Sequence, residues 1–144
     1  MGDELFERYH LAFLGSLRVD GSPRVSPVEP YLGSGELVLG VMTGSAKARD
    51  LMRDPRCSLH TIVVDPDAGE PEVTVRGRFI DIDPSVRDGD PDAWWLTSVD
   101  KLSLVGTIEI ASATLLRWDL TAGRLSITSW TPERGLTERT RAYP

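Results

Sequence analysis

Three prolines, at positions 23, 27 and 30 of the run "SPRVSPVEPYL", constrain the fold more than any other feature of this chain. Proline has no N–H to give to a β-ladder, so a strand written this way lies at a sheet edge or is distorted. The Asp20-Gly21 dipeptide upstream suits a tight hairpin turn, so "LAFLGSLRVDGSPRVSPVEPYL" reads as two strands. Within the second, Arg24 alternates with Ser26 and Val28, which places Arg24 and Ser26 on one face. Such a pair either lines a polar cleft or decorates the surface of an edge strand.

Six further short β runs follow. "ELVLGVM", "CSLHTIVV" and "EVTVRGRFIDI" read as the third to fifth strands, with a turn at Gly33-Ser34-Gly35 and a bulge or a sharp bend at Gly77. "LVGTIEI", "TLLRWDL" and "RLSITSW" are three more, the last two joined around Thr121-Ala122-Gly123. Helices are few: a short N-terminal one with Leu5, Phe6 and Tyr9 on one side, "SAKARDLMRDP", and Asp90 to Lys101 with Trp94 and Trp95. In the second, Ala48, Leu51 and Met52 form an apolar stripe and Asp54-Pro55 is the stop. Helices do not alternate with strands, which argues against parallel α/β. The fold class is mainly β, a Greek-key barrel with small helical additions. No repeat or linker interrupts the 144 residues, so one domain spans 1–144.

Composition narrows the function classes. A net charge of −6 argues against nucleic acid, whose phosphates demand a basic footprint. No stretch of eighteen apolar residues is present, and the N-terminus is acidic and amphipathic, so the expectation is a cytoplasmic protein with no membrane partner. One cysteine, Cys57, and two histidines leave no disulfide framework within the chain and no paired-cysteine zinc site. The carboxylate-rich turns lack calcium-loop spacing, so no metal is expected. His60 is expected as a hydrogen-bonded core residue and His10 at the surface. Trp118 and Trp130 read as core or interface anchors. No serine sits in a nucleophile elbow, and no catalytic residue is assigned.

The segment "VMTGSAKARDLMRDPRCSLH" runs against the acidic trend, with Lys47, Arg49, Arg53 and Arg56 against Asp50 and Asp54. Ser45 fits an N-cap. The first-turn N–H groups, the Ser45 hydroxyl and the Lys47 ammonium could together hold a phosphate. An ordinary capped helix with solvated charges explains the same pattern. Arg49 is expected to project away from the first-turn donors.

Taken in order, the first strand, "DGSPRVSPV", the Gly-containing turn, "TGSAKARDLMRDPRCSL" and "VTVRGRFIDI" resemble the pyridoxamine 5'-phosphate oxidase-like family of flavin-binding split barrels. The likeness covers Leu11 to about Asp83 and more loosely the rest. It implies a six-stranded split barrel that forms a homodimer, with FMN in two clefts at the interface. It also implies an oxidoreductase passing hydride or electrons between FMN and a small substrate. The implied cofactor contacts are Arg24, Val25 and Ser26 on the second strand, and Met42, Thr43, Ser45 and Lys47 at the helix start. The wider family adds two alternatives: a deazaflavin-dependent reductase, which the arginine-rich composition suits, and a non-enzymatic flavin- or heme-binding module. Three positions depart from the oxidases proper: Ala46 replaces a clamp arginine, Glu29 a lysine and Glu72 a glutamine.

Overall fold

Apolar alternation builds the strands, and proline placement decides how they close. In the computed structural model, which describes residues 6, 10–33, 35–82 and 103–142, nine strands form one antiparallel sheet. They are β1 (Ala12–Leu17), β2 (Pro23–Val28), β3 (Pro30–Gly33), β4 (Glu36–Met42), β5 (Arg56–Thr61), β6 (Glu72–Asp81), β7 (Ser103–Asp119), β8 (Arg124–Thr131) and β9 (Gly135–Ala142). The α-helix α1 (Ala46–Arg53) connects β4 to β5. A 3-10 turn, Pro66–Ala68, sits in the acidic loop between β5 and β6.

Hydrogen-bonded neighbours run β2-β1-β5-β6-β7-β4-β3. The two ends of that path, β2 and β3, are separated in the chain only by Glu29. The path therefore returns on itself. Counted as one strand bent at Glu29-Pro30, β2–β3 closes a ring of six with β1, β4, β5, β6 and β7, the split barrel expected from the sequence. β2 pairs β1 and β3 pairs β4, while β2 and β4 touch without a ladder. That unpaired seam is where the prolines lie.

The barrel interior is filled from every wall, by Leu14 on β1, Val28 on β2, Leu39 on β4, Leu59 on β5, Val75 and Phe79 on β6 and Ile108 on β7. Burial of this kind supplies most of the driving force for folding. "LVGTIEI" and "TLLRWDL" belong to one 17-residue strand, β7, not two; "ASA" between them holds no Gly, Pro, Asn or Asp to break the strand. Its first part pairs β4 and its last part pairs β8. β9, a strand with no apolar alternation, pairs only β8 and is almost wholly exposed. Among the described residues no helix is long and apolar enough to cross a membrane.

The α1 stripe differs from expectation. Ala48 and Leu51 are buried, but Met52 is 62% exposed and Asp50 lies inside in its place, because Asp50 finds cationic partners there. Phe6 is buried in helical backbone. The rest of the N-terminal helix and the Asp90 to Lys101 helix with Trp94 and Trp95 fall outside the described residues.

The expected bulge is present. The β6–β7 register shifts between Arg76 and Gly77, and a Cβ on Gly77 would lie 2.1 Å from the Glu109 carbonyl oxygen. Gly77→Ala should therefore destabilise the fold by about 1–3 kcal/mol, the range of core overpacking. Gly44→Ala, where a Cβ meets nothing within 4 Å, should stay within about 0.5 kcal/mol. Urea denaturation of both variants checks this, and equal midpoints would contradict it.

Candidate functional site

A tight turn leads from β4 into α1. Ser45 N–H donates to the Met42 carbonyl at 2.9 Å, and Ser45 Oγ caps the helix by accepting from Ala48 N–H at 3.2 Å. The first intrahelical bond is Arg49 N–H to the Ser45 carbonyl. The N–H groups of Ala46 and Lys47 precede that ladder and point out of the helix end, where the dipole is positive. Met42, Thr43, Ser45 and Lys47 thus converge on one short segment, which an anion suits.

α1 is laced to β2 across the seam by two reciprocal bonds. Lys47 Nζ donates to the Pro27 carbonyl at 2.8 Å, and Arg24 Nε donates to Asp50 Oδ2 at 2.5 Å. Strand numbers fall as helix numbers rise, so the two elements run antiparallel. Asp50 is only 4% exposed, and its second oxygen takes Arg53 at 3.2 Å. Arg53 also donates to the Leu17 carbonyl, tying the helix end to β1. The Arg24 hydrogen bond, with Arg53 adding to it, holds the Asp50 carboxyl below the usual aspartate range. Burial pulls the Lys47 ammonium below the usual lysine value.

Arg24 and Ser26 share a face, as expected: they sit opposite Ser16 and Leu14, both buried, on β1. Val25 points the other way and is 68% exposed. Met42 is 67% exposed at the strand end, beside the turn. The structure therefore brings Arg24, Ser45 and Lys47 to the seam, with Ser26 on the same face of β2 and Val25 on the opposite one.

Arg49 corrects an expectation. Its guanidinium does not project away but curls back so that Nη1 donates to the Gly44 carbonyl at 2.7 Å, just ahead of the N-cap. His60 also differs. It is half-buried on the outer face, its Nδ1 2.6 Å from the Thr61 carbonyl oxygen and its Nε2 3.5 Å from Glu72. Cys57, three residues earlier, faces the core, and burial pushes its thiol up to about 11. The two lie on opposite faces of β5 and cannot act together. His10 is exposed, as expected.

Asp50 escaped the sequence reading, although a signal was available. Lys47, Asp50 and Arg53 recur every third residue and so share a helix face. The cross-element partners Arg24 and Pro27 carry no local signal.

The ring of six strands with a capped helix at its seam defines a split β-barrel. Residues 3–114 match the family described as Pyridoxamine 5'-phosphate oxidase, and the chain belongs to it. No curated protein matches. Among solved structures, the chain is similar to a pyridoxamine 5'-phosphate oxidase-related, FMN-binding protein from Nostoc punctiforme. That likeness has a TM-score of 0.64 at 12% identity and covers 92% of this chain and 86% of that one. An F420 reductase gives 0.60 at 22% identity, over 78% of this chain and 96% of that one. A heme-binding protein from Mycobacterium smegmatis gives 0.63 at 15% identity, over 93% and 83%. At these identities the likenesses establish the fold.

Ionised Asp50 stabilises the fold above the ordinary aspartate pKa, and that contribution is lost as pH falls through its lower folded value. Asp50→Asn should therefore lower thermal stability at pH 7, and its difference from wild type should shrink below about pH 4. Thermal melts from pH 7 to pH 2.5 read this out. A difference independent of pH would show that the ionised pair does not contribute.

Proposed function

We propose that the chain is a cytoplasmic split-barrel domain over residues 1–144 that binds FMN between two copies of itself. On this reading it is an oxidoreductase acting on a small-molecule substrate. The observation that carries the reading is Lys47, a cation bound to a neutral carbonyl at the open N-terminal turn of α1. It offers charge to a phosphate without a carboxylate partner among the described residues. The Ser45 hydroxyl and first-turn N–H groups add donors, and Arg24 and Ser26 flank them on β2. Bound FMN would supply hydride and electron transfer. The chain's own residues would hold the phosphate and orient the ring. Exposed Val25, Met42 and Phe13 offer apolar surface that a flavin ring or a second copy would cover. Membership of the family and the likeness to an FMN-binding protein support the cofactor. The likeness to an F420 reductase supports a deazaflavin as the second reading.

Lys47→Ala removes a charge-assisted bond worth about 1.5–3 kcal/mol, so FMN affinity should fall about 10- to 150-fold. Riboflavin, which lacks the phosphate, should bind weakly and alike to both proteins. Titration followed by flavin fluorescence measures this, with Lys47→Gln included because it keeps a donor for the Pro27 carbonyl. Unchanged FMN affinity in both variants would remove Lys47 from the site.

Sedimentation should show a species of twice the 15.9 kDa chain mass. A pure monomer at micromolar concentration would rule out the shared cleft.

A further inference from the structure

A phosphate monoester carries close to two negative charges at neutral pH, and one lysine neutralises only half of that. The cations around α1 divide into two groups. Arg24 and Arg53 share the single negative charge of Asp50, and Arg56 pairs with Asp54 at 2.6 Å. Lys47 and Arg49 bond only to the Pro27 and Gly44 carbonyls, and among the described residues neither is paired with a carboxylate. Lys47 and Arg49, at the first half of the helix, thus have no ion-pair partner among the described residues, and the Arg24–Asp50–Arg53 group beside them keeps one net positive charge.

Arg49 reaches the helix start because helical side chains lean toward the N-terminus. Ala46, one turn earlier on that face, carries only a methyl group, with no polar atom to compete. One guanidinium nitrogen holds Gly44, and the structure gives the group no other hydrogen bond among the described residues. A guanidinium fork anchored by one donor keeps the others for phosphate oxygens.

We propose that Arg49 is the second cation of the cofactor clamp, so that Lys47 and Arg49 together match a dianionic phosphate monoester. This rests on the phosphate-site reading above, and the experiment separates the two. FMN and riboflavin are titrated into wild type, Lys47→Ala, Arg49→Ala, Arg49→Gln and Arg56→Ala, with thermal melts confirming that each variant folds. Arg49→Ala should lower FMN affinity by about 10-fold or more and leave riboflavin unchanged. Arg49→Gln, which keeps a donor for Gly44 but no charge, should follow it. Arg56→Ala, the exposed cation at the far end of the helix, should match wild type.

Full FMN affinity in Arg49→Ala, with a loss in Lys47→Ala, would overturn the assignment and leave the phosphate site standing. Full affinity in Arg49→Gln with a loss in Arg49→Ala would assign the effect to turn geometry and overturn it too. An equal loss in Arg56→Ala would reduce it to a diffuse field. If wild type does not distinguish FMN from riboflavin, the phosphate site itself fails and Arg49 with it.

Discussion

Around the seam, the backbone cannot do what it does elsewhere in the barrel. Pro23 and Pro27 deny β2 two of its donors, and no ladder joins β2 to β4. Side chains from α1 close the gap instead, Lys47 reaching to a strand carbonyl and Asp50 receiving a strand arginine. Burying a carboxylate costs more than one ion pair usually returns, and Asp50 is offset by two guanidiniums rather than one. The arrangement's main consequence is register. Only one docking of α1 on β2 pairs residue 24 with 50 and residue 27 with 47.

That register sets the electrostatics of the helix start. Asp50 lies between Arg24 and Arg53 and Asp54 pairs with Arg56, so neither carboxylate reaches Lys47 or Arg49, and a chain of net charge −6 still presents a local positive end at the start of α1. Binding to carbonyls fixes Lys47 and Arg49 in place without cancelling their charge. Partial burial of Lys47 also lowers the effective dielectric around it, which strengthens any interaction it makes. A preorganised cation at a helix N-terminus loses little freedom on meeting a phosphate.

Much of this was legible in the sequence, for reasons that can be named. The prolines marked β2 as an edge, the Ser45 cap and Asp54-Pro55 stop bounded α1, and Gly77 marked the bulge. Each is a local backbone constraint that survives any tertiary context. What escaped was long-range or non-periodic. β9 reads "GLTERTRA", polar on both faces, so alternation cannot find it. Met52 satisfied the helical stripe, yet Asp50 took the buried position because Arg24, distant in sequence, was there to meet it. Arg49 was misplaced for a related reason, since spacing gives a side chain's face but not its lean toward the preceding turn.

The same geometry bears on which cofactor the fold carries, a matter the fold alone leaves open because flavin- and heme-binding proteins share it. Heme iron asks for an axial ligand, usually His, Cys, Met or Tyr. Cys57 faces the core with its thiol pushed up to about 11, far from the thiolate that iron needs. His60 turns one ring nitrogen to the Thr61 carbonyl and the other to Glu72, so ligation would first have to break one of those contacts. A flavin phosphate asks for no such rearrangement. It needs donors and uncompensated positive charge at one point, and the N-terminal turn of α1 offers Ser45, Lys47 and Arg49 with their charge unspent. The N-terminal turn of α1 thus suits the phosphate of the proposed flavin, whereas Cys57 and His60 would both have to change their surroundings to meet an iron.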